Sequence, residues 1–161
     1  MKAALAALIA IALVAGPAAA QNASQIARVK AGASCPGCNL FQADLGGAQL
    51  KGRNYAGARL RQADLNLAIM NRSRFSHADL RDVNAYGALF SSADFSGANL
   101  THASFVGTYL EGANFAGAVL DGTNFSGAEM ERARGLTQAR LNHACGDAQT
   151  RLPRGLSIPA C

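Results

Sequence analysis

Two cysteine pairs and a scatter of histidines and aspartates are the residues of this chain with the most obvious chemical potential. Cys35-Pro36-Gly37-Cys38 has the C-x-x-C spacing of thiol–disulfide exchange sites. Zinc is a second use for such a pair, but the other two cysteines, Cys145 and Cys161, lie at the far end of the sequence. Covalent haem attachment is excluded because Asn39, not His, follows Cys38. His77, His102 and His143 have no metal-ligand spacing, and solvated histidine is the better reading for each. Asp44, Asp64, Asp79 and Asp94 resemble catalytic carboxylates only when taken singly. No Ser-His-Asp arrangement, phosphate loop or metal box is present, so no catalytic residue, cofactor site or metal site is assigned.

The elements that must position these residues follow an unusual rule. Every fifth position from Leu40 to Met130 is large and apolar, with Ala85 the one exception. Two residues earlier the chain prefers Ala; Cys38, Arg53, Ser73, Val83, Thr108 and Thr123 are the departures. A period of five fits neither common element. On a helix such a stripe spirals around the axis, and in a strand an odd period throws successive anchors to opposite faces. A chain that turns a corner every five residues satisfies it. The large residue and the small one two before it point inward, the residue between them points outward, and the other two make the corner. Gly fills the second corner position at many repeats, as a type II turn requires. Gln62, Leu67, Arg72, His77 and Asp82 stand there instead, which predicts type I or irregular corners over that run.

Columns at spacing 20 are the most uniform. One reads Leu40, Leu60, Leu80, Leu100, Leu120 and another Tyr55, Phe75, Phe95, Phe115. Four five-residue sides per coil are therefore expected, with these residues as core. Val83 beside Ala85 predicts a local exchange of volume. Units such as Ala43-Asp44-Leu45, Ala63-Asp64-Leu65, Ala78-Asp79-Leu80, Ala98-Asn99-Leu100 and Ala113-Asn114-Phe115 resemble the pentapeptide-repeat family. The resemblance implies an all-β solenoid, a right-handed quadrilateral β-helix of about five coils. A short C-terminal α-helical cap is expected to close it. In this family's pattern the Asp or Asn lies in the outward slot, where it can bond neighbouring coils.

The expected organisation is a signal peptide over 1–20, an N-terminal cap or linker over 21–34, the repeat β-helix over 35–134, and a C-terminal helix and strapped tail over 135–161. Lys2, the apolar run Ala3 to Val14 and Ala18-Ala19-Ala20 have the form of an export segment cleaved after Ala20, with an uncleaved anchor as the alternative. That places the mature chain in the periplasm or outside the cell, with no membrane span remaining. Residues 21–34 are expected to form a loose cap. Thr137 can cap a helix over Gln138 to Cys145, with Gly146 ending it and Leu136 and Leu141 placed as a hydrophobic staple. A Cys145–Cys161 bridge would pin the tail and contribute about 3 kcal/mol on the loop-entropy account; free or intermolecular thiols are the alternative. Cys35 and Cys38 both fall in inward registers about a Pro-Gly corner. A structural bridge or inert thiols is favoured there over redox work.

Composition agrees. The 161 residues are 50% hydrophobic but 6% aromatic and 16% charged, with 17 Gly and no Trp. Ala fills small inward slots and Gly makes corners, so a narrow core needs little more. The outward column Gln49, Ile69, Leu89, Tyr109, Glu129 is the most informative surface feature. Ile69, Leu89 and Tyr109 form a candidate interface, for a protein partner or for self-association, expected to be bordered by Val119 on a neighbouring side. A tolerated β-stripe is the alternative. Lys51, Arg53, Arg59, Arg61, Arg72, Arg74 and Arg81 cluster in the first half, interspersed with Asp44, Asp64, Asp79 and Asp82. A solvated mixed face is favoured there over an anion site. Arg53 occupies an inward small-residue slot and must bulge out or find a carbonyl or carboxylate. The leading reading is a non-catalytic exported scaffold that binds a protein; an envelope stress or packing protein with no specific ligand is another. The family also includes gyrase-protecting DNA mimics, which are cytoplasmic and strongly negative. The export segment and the net charge of +5 oppose that reading, and no nucleic-acid partner is expected.

Overall fold

The chain pairs with itself at intervals of 20 residues. In the computed structural model, which describes residues 21–161, parallel bridges link Asn39 to Arg59, Asp44 to Asp64, Gln49 to Ile69 and Asn54 to Arg74, and continue in the same steps to Asn114 and Arg134. The expected signal peptide lies outside the described residues. Each bridging residue is the middle, outward one of a repeat, and each side contributes one such residue rather than a long strand.

The hydrogen bonds show why the period holds. In a repeat such as Ala43-Asp44-Leu45-Gly46-Gly47, the Leu45 amide donates to the Asp64 carbonyl at 2.8 Å, and the Gly47 amide to the Asn66 carbonyl at 2.8 Å. The Ala48 amide closes the corner onto the Leu45 carbonyl at 3.1 Å. Backbone groups are thereby paired between coils and within corners, which leaves the inside to side chains. Leu40, Leu60, Leu80, Leu100 and Leu120 are buried in one column. In another, Tyr55, Phe75, Phe95 and Phe115 stack with ring centroids 5.3–5.4 Å apart. Val83 and Ala85 are both fully buried. The polar residues in small inward slots are satisfied: Ser73 Oγ donates to the Leu50 carbonyl, Thr108 Oγ1 to Phe105 and Thr123 Oγ1 to Leu100.

Four expectations are corrected. Gln62, Leu67, Arg72, His77 and Asp82 have φ between 53° and 60°, in the left-handed region, so their corners are not type I. Coil stacking imposes this geometry: each of their amides donates to a carbonyl one coil on, as His77 does to Ser96 at 2.8 Å. Residues 21–34 are not a loose cap, because they contain helix α1, Ala23–Lys30. Asn22 caps it by accepting the Gln25 amide, and Val29 is fully buried against the first coil. Helix α2, Gln138–Leu141, is capped by Thr137 but stops short of Cys145. The chain returns to the ladder instead, with Cys145 paired to Asn124 and Arg151 to Glu129. Gly146 does not end the helix; it bridges to Ala160. Finally, Val119 does not border the Ile69 side. It stands in the Asn39–Arg59–Asp79–Asn99 column, two sides away and therefore opposite.

The uncertainty over Arg53 resolves by exposure. Its backbone stays in register, accepting from the Arg74 amide at 2.8 Å, while its side chain lies at the surface.

Candidate functional site

The four sides are numbered here from their outward columns: the first from Asn39 to Val119, the second from Asp44 to Asn124, the third from Gln49 to Glu129 and the fourth from Asn54 to Arg134. Ile69, Leu89 and Tyr109 are brought together on the third side by direct bridges between successive coils. Ile69 and Leu89 are half-buried, and Tyr109 is 45% exposed. Sequence reasoning missed what adjoins them. The edge between the second and third sides carries Leu67, 58% exposed, and Tyr86, 56% exposed, with Val106 one coil further. The Leu67 amide donates to the Tyr86 carbonyl and the Gly87 amide to that of Val106, which stacks the three along the edge. The apolar strip therefore wraps from an edge onto a face. The signal was present: Leu67 takes a corner slot that other coils of that column give to Gly.

The aspartates are spread over three sides. Asp44 and Asp64 stack on the second side, Asp79 is on the first and Asp94 on the fourth. Each caps its own corner, with Oδ1 accepting the amide two residues on, in Gly46, Asn66, Arg81 and Ser96 respectively. Asn54, Asn84, Asn99, Asn114 and Asn124 do the same. Asp64 and Asp94 also accept from Nδ2 of Asn84 and Asn114 one coil on, at 3.0 Å each.

Cys35 and Cys38 are bridged across the Pro36-Gly37 corner with Cα atoms 5.5 Å apart, and both are buried. Cys145 and Cys161 are bridged with Cα atoms 4.8 Å apart. His102 Nδ1 lies 3.9 Å from the half-buried Asp82 at Oδ1, and His143 Nδ1 3.8 Å from the exposed Asp121 at Oδ1. His77 sits at an exposed corner on another edge. Among the described residues no group of three or more His, Cys, Asp or Glu is arranged to hold a metal ion.

The coil divides the basic cluster into two parts. Arg81 binds Asp79 through two hydrogen bonds of 2.7 Å, and these hold the Asp79 carboxyl below its ordinary range. Arg61 pairs with Asp82 at 3.2 Å. Lys51, Arg53, Arg72 and Arg74 have no ion-pair partner among the described residues. They lie on the fourth side and on its edge with the third, beside a groove of about 430 Å³ lined by Lys51, Gly52, Asn71, Arg72, Ser91 and Ser92.

A model of pentapeptide repeats matches residues 43–82 and 93–132, in 8 copies. The chain belongs to the pentapeptide-repeat family. Similar solved structures are themselves pentapeptide-repeat proteins, a family known for right-handed quadrilateral β-helices. One comes from the thylakoid lumen of Arabidopsis thaliana, at 25% identity over 63% of this chain and 71% of that one, TM-score 0.47. Another is Rfr23 from the cyanobacterium Cyanothece, at 22% identity over 80% and 97%, TM-score 0.42. QnrB1, a plasmid-mediated fluoroquinolone resistance protein, is 21% identical over 76% of each chain, TM-score 0.41. No curated protein matches the chain in sequence. Where this pentapeptide-repeat protein carries Asp or Asn in the outward slot of a repeat, the side chain caps the corner that follows.

Proposed function

We propose that this pentapeptide-repeat protein is a non-catalytic, exported scaffold that binds another protein through its third side, in the cell envelope or outside the cell. The observation that carries the reading is the apolar strip of Leu67, Ile69, Tyr86, Leu89, Val106 and Tyr109 on one edge and face. Scattered apolar residues are ordinary on a protein surface, whereas a contiguous patch marks a contact. The form of residues 1–20 supports export, and two disulfides fit an oxidising compartment. No helix among the described residues is long and apolar enough to cross a membrane.

In this reading residues 35–134 are the scaffold, a right-handed coil of about five turns. Residues 21–34 close one end, and 135–161, with the short helix and the Cys145–Cys161 bridge, close the other. Burial of both Cys35 and Cys38 opposes a redox role, because an attacking thiolate must reach a sulfur.

The test is partner capture from an envelope extract with three forms of the mature protein: the parent, Leu89→Asp on the third side and Val119→Asp on the opposite side. Recovery by the parent and Val119→Asp but not by Leu89→Asp supports the reading. Identical recovery by all three sinks it.

A further inference from the structure

We infer that the segment bound on the third side is an acidic, extended polypeptide whose carboxylates enter the groove between Lys51 and Arg72. The inference rests on the third side being a protein-binding face, and adds the chemistry of what binds. Of the seven basic residues in the first half of the rod, Arg61 and Arg81 have carboxylate partners and Arg59 stands on the first side with them. The other four gather on neighbouring coils at one edge, since Arg74 bridges directly to Asn54, next to Arg53, and Arg72 lies one coil above Gly52, next to Lys51. Lys51 and Arg72 line the groove with no ion-pair partner and Arg53 stands beside them, which gives the groove a local positive potential, while Arg74 faces Asp94 one coil on.

The groove walls add neutral donors. Ser91 and Ser92 supply hydroxyls, and Asn71 accepts the Ser91 amide at 2.8 Å through Oδ1, which leaves its NH2 as the free end. These groups and the two cations suit carboxylate oxygens. Beyond Ser92 the edge becomes neutral, because Arg132 holds Glu111 at 2.8 Å. The ligand's acids therefore belong at the end of the strip nearer Lys51.

Continuity with the third side selects a peptide over other anions. Asn71 and Ser91 follow Ile69 and Leu89 by two residues, so the groove opens directly onto the apolar strip. A phosphate backbone would satisfy the cations and leave the strip uncovered. An extended chain presents alternate side chains to opposite sides, so one segment can place acids in the groove and apolar groups on Ile69 and Leu89.

The probe is a fluorescein-labelled, ten-residue peptide of four Glu, two Leu, one Phe and three Ser, read by anisotropy at several salt concentrations. Comparison ligands are the peptide with Gln for Glu and a single-stranded oligonucleotide. The proteins are the parent, Lys51→Glu with Arg72→Glu, and Leu89→Asp, each checked for folding by circular dichroism. The parent is expected to bind the acidic peptide, more weakly as salt rises, and at least tenfold more tightly than the Gln peptide. The Lys51→Glu/Arg72→Glu form is expected to lose at least tenfold and its salt dependence. Leu89→Asp is expected to weaken binding while keeping the salt dependence. Equal binding by the parent and the double variant, no binding by the parent, or tighter binding of the oligonucleotide overturns the inference. If Leu89→Asp binds as the parent does while the double variant fails, the groove takes acids and the third-side reading is the one that falls.

Discussion

Replacing Tyr55 by Phe should stabilise the protein, against the usual direction of core substitutions. Tyr55 begins the column that continues as Phe75, Phe95 and Phe115, and its ring stacks on Phe75 at 5.4 Å. The residue is fully buried, and its hydroxyl is the one buried side-chain polar atom without a hydrogen-bond partner among the described residues. An unsatisfied buried hydroxyl costs about 1–3 kcal/mol relative to water. Removing one oxygen leaves a void whose penalty, at about 24 cal/mol per Å³, is a few tenths of a kcal/mol. The net gain is about 1–2 kcal/mol, or roughly 2–8 °C in Tm for a chain of this size. A second readout is independent of the first. Burial pushes the Tyr55 phenol up to about 12, with nearby Arg53 opposing that shift. A phenol that ionises later in the folded chain than in the unfolded one makes stability fall as pH rises from about 10 to about 12. Tyr55→Phe should flatten that part of the curve. Urea titrations at neutral pH and across the alkaline range measure both. A Tyr55→Phe protein less stable than the parent at neutral pH would refute the reasoning, because the hydroxyl would then have a partner that stabilises it.

Two further substitutions probe the core and the closure of the rod. Phe95 stacks between Phe75 and Phe115 and meets Phe90 and Phe105 edge-on, so Phe95→Ala should lose about 3–5 kcal/mol by denaturant titration; a loss under 1 kcal/mol would place it outside the stack. Gly135 has φ 74°, and a Cβ there would overlap the backbone of Ala116, so Gly135→Ala should lose about 2–5 kcal/mol; a loss under 1 kcal/mol would mean that the C-terminal segment does not pack there.

What could be read from the chain depended on whether its cause was local. Leu40 through Leu120 and the Phe column are legible because each inward slot sees the same surroundings one coil away, so spacing 20 repeats residue type as well as position. Helix α1 was not legible, because its apolar contribution rests mainly on Val29, with Ile26 partly buried beside it, too few residues to make a stripe. Its determinants are a cap at Asn22 and a tertiary contact, Gln25 Oε1 accepting the Asn39 amide at 2.7 Å. The division of the basic cluster was legible only in part, since Arg61 finds its partner, Asp82, 21 residues on. Arg72 and Arg81 look alike in sequence, but only Arg81 has an acid two residues before it, in the outward slot, and can fold back onto it. For the candidate face, Ile69, Leu89 and Tyr109 could be read from the outward slot, while Leu67 and Tyr86 stand in corner slots, where the one sign was the break that Leu67 makes in a column of Gly.

The corners with side chains explain that break and yield a test. A left-handed residue other than Gly costs about 1–2 kcal/mol, and eight corners of this chain accept it. At several, the side chain covers a glycine on the next coil: Leu67 over Gly87, His77 over Gly97, His102 over Gly122. The glycine provides the space and the side chain below fills it. A Cβ added at Gly87 would come within 2.9 Å of Leu67 Cδ2, in addition to the penalty of φ 62°. Gly87→Ala should therefore destabilise by about 1–2 kcal/mol by denaturant titration, nearly all of it from the left-handed backbone, because the exposed Leu67 side chain can swing away from the added methyl. Leu67→Ala alone should change stability little, since the side chain is 58% exposed. A loss under about 0.5 kcal/mol for Gly87→Ala would mean that the corner at Gly87 does not hold its residue in the left-handed region.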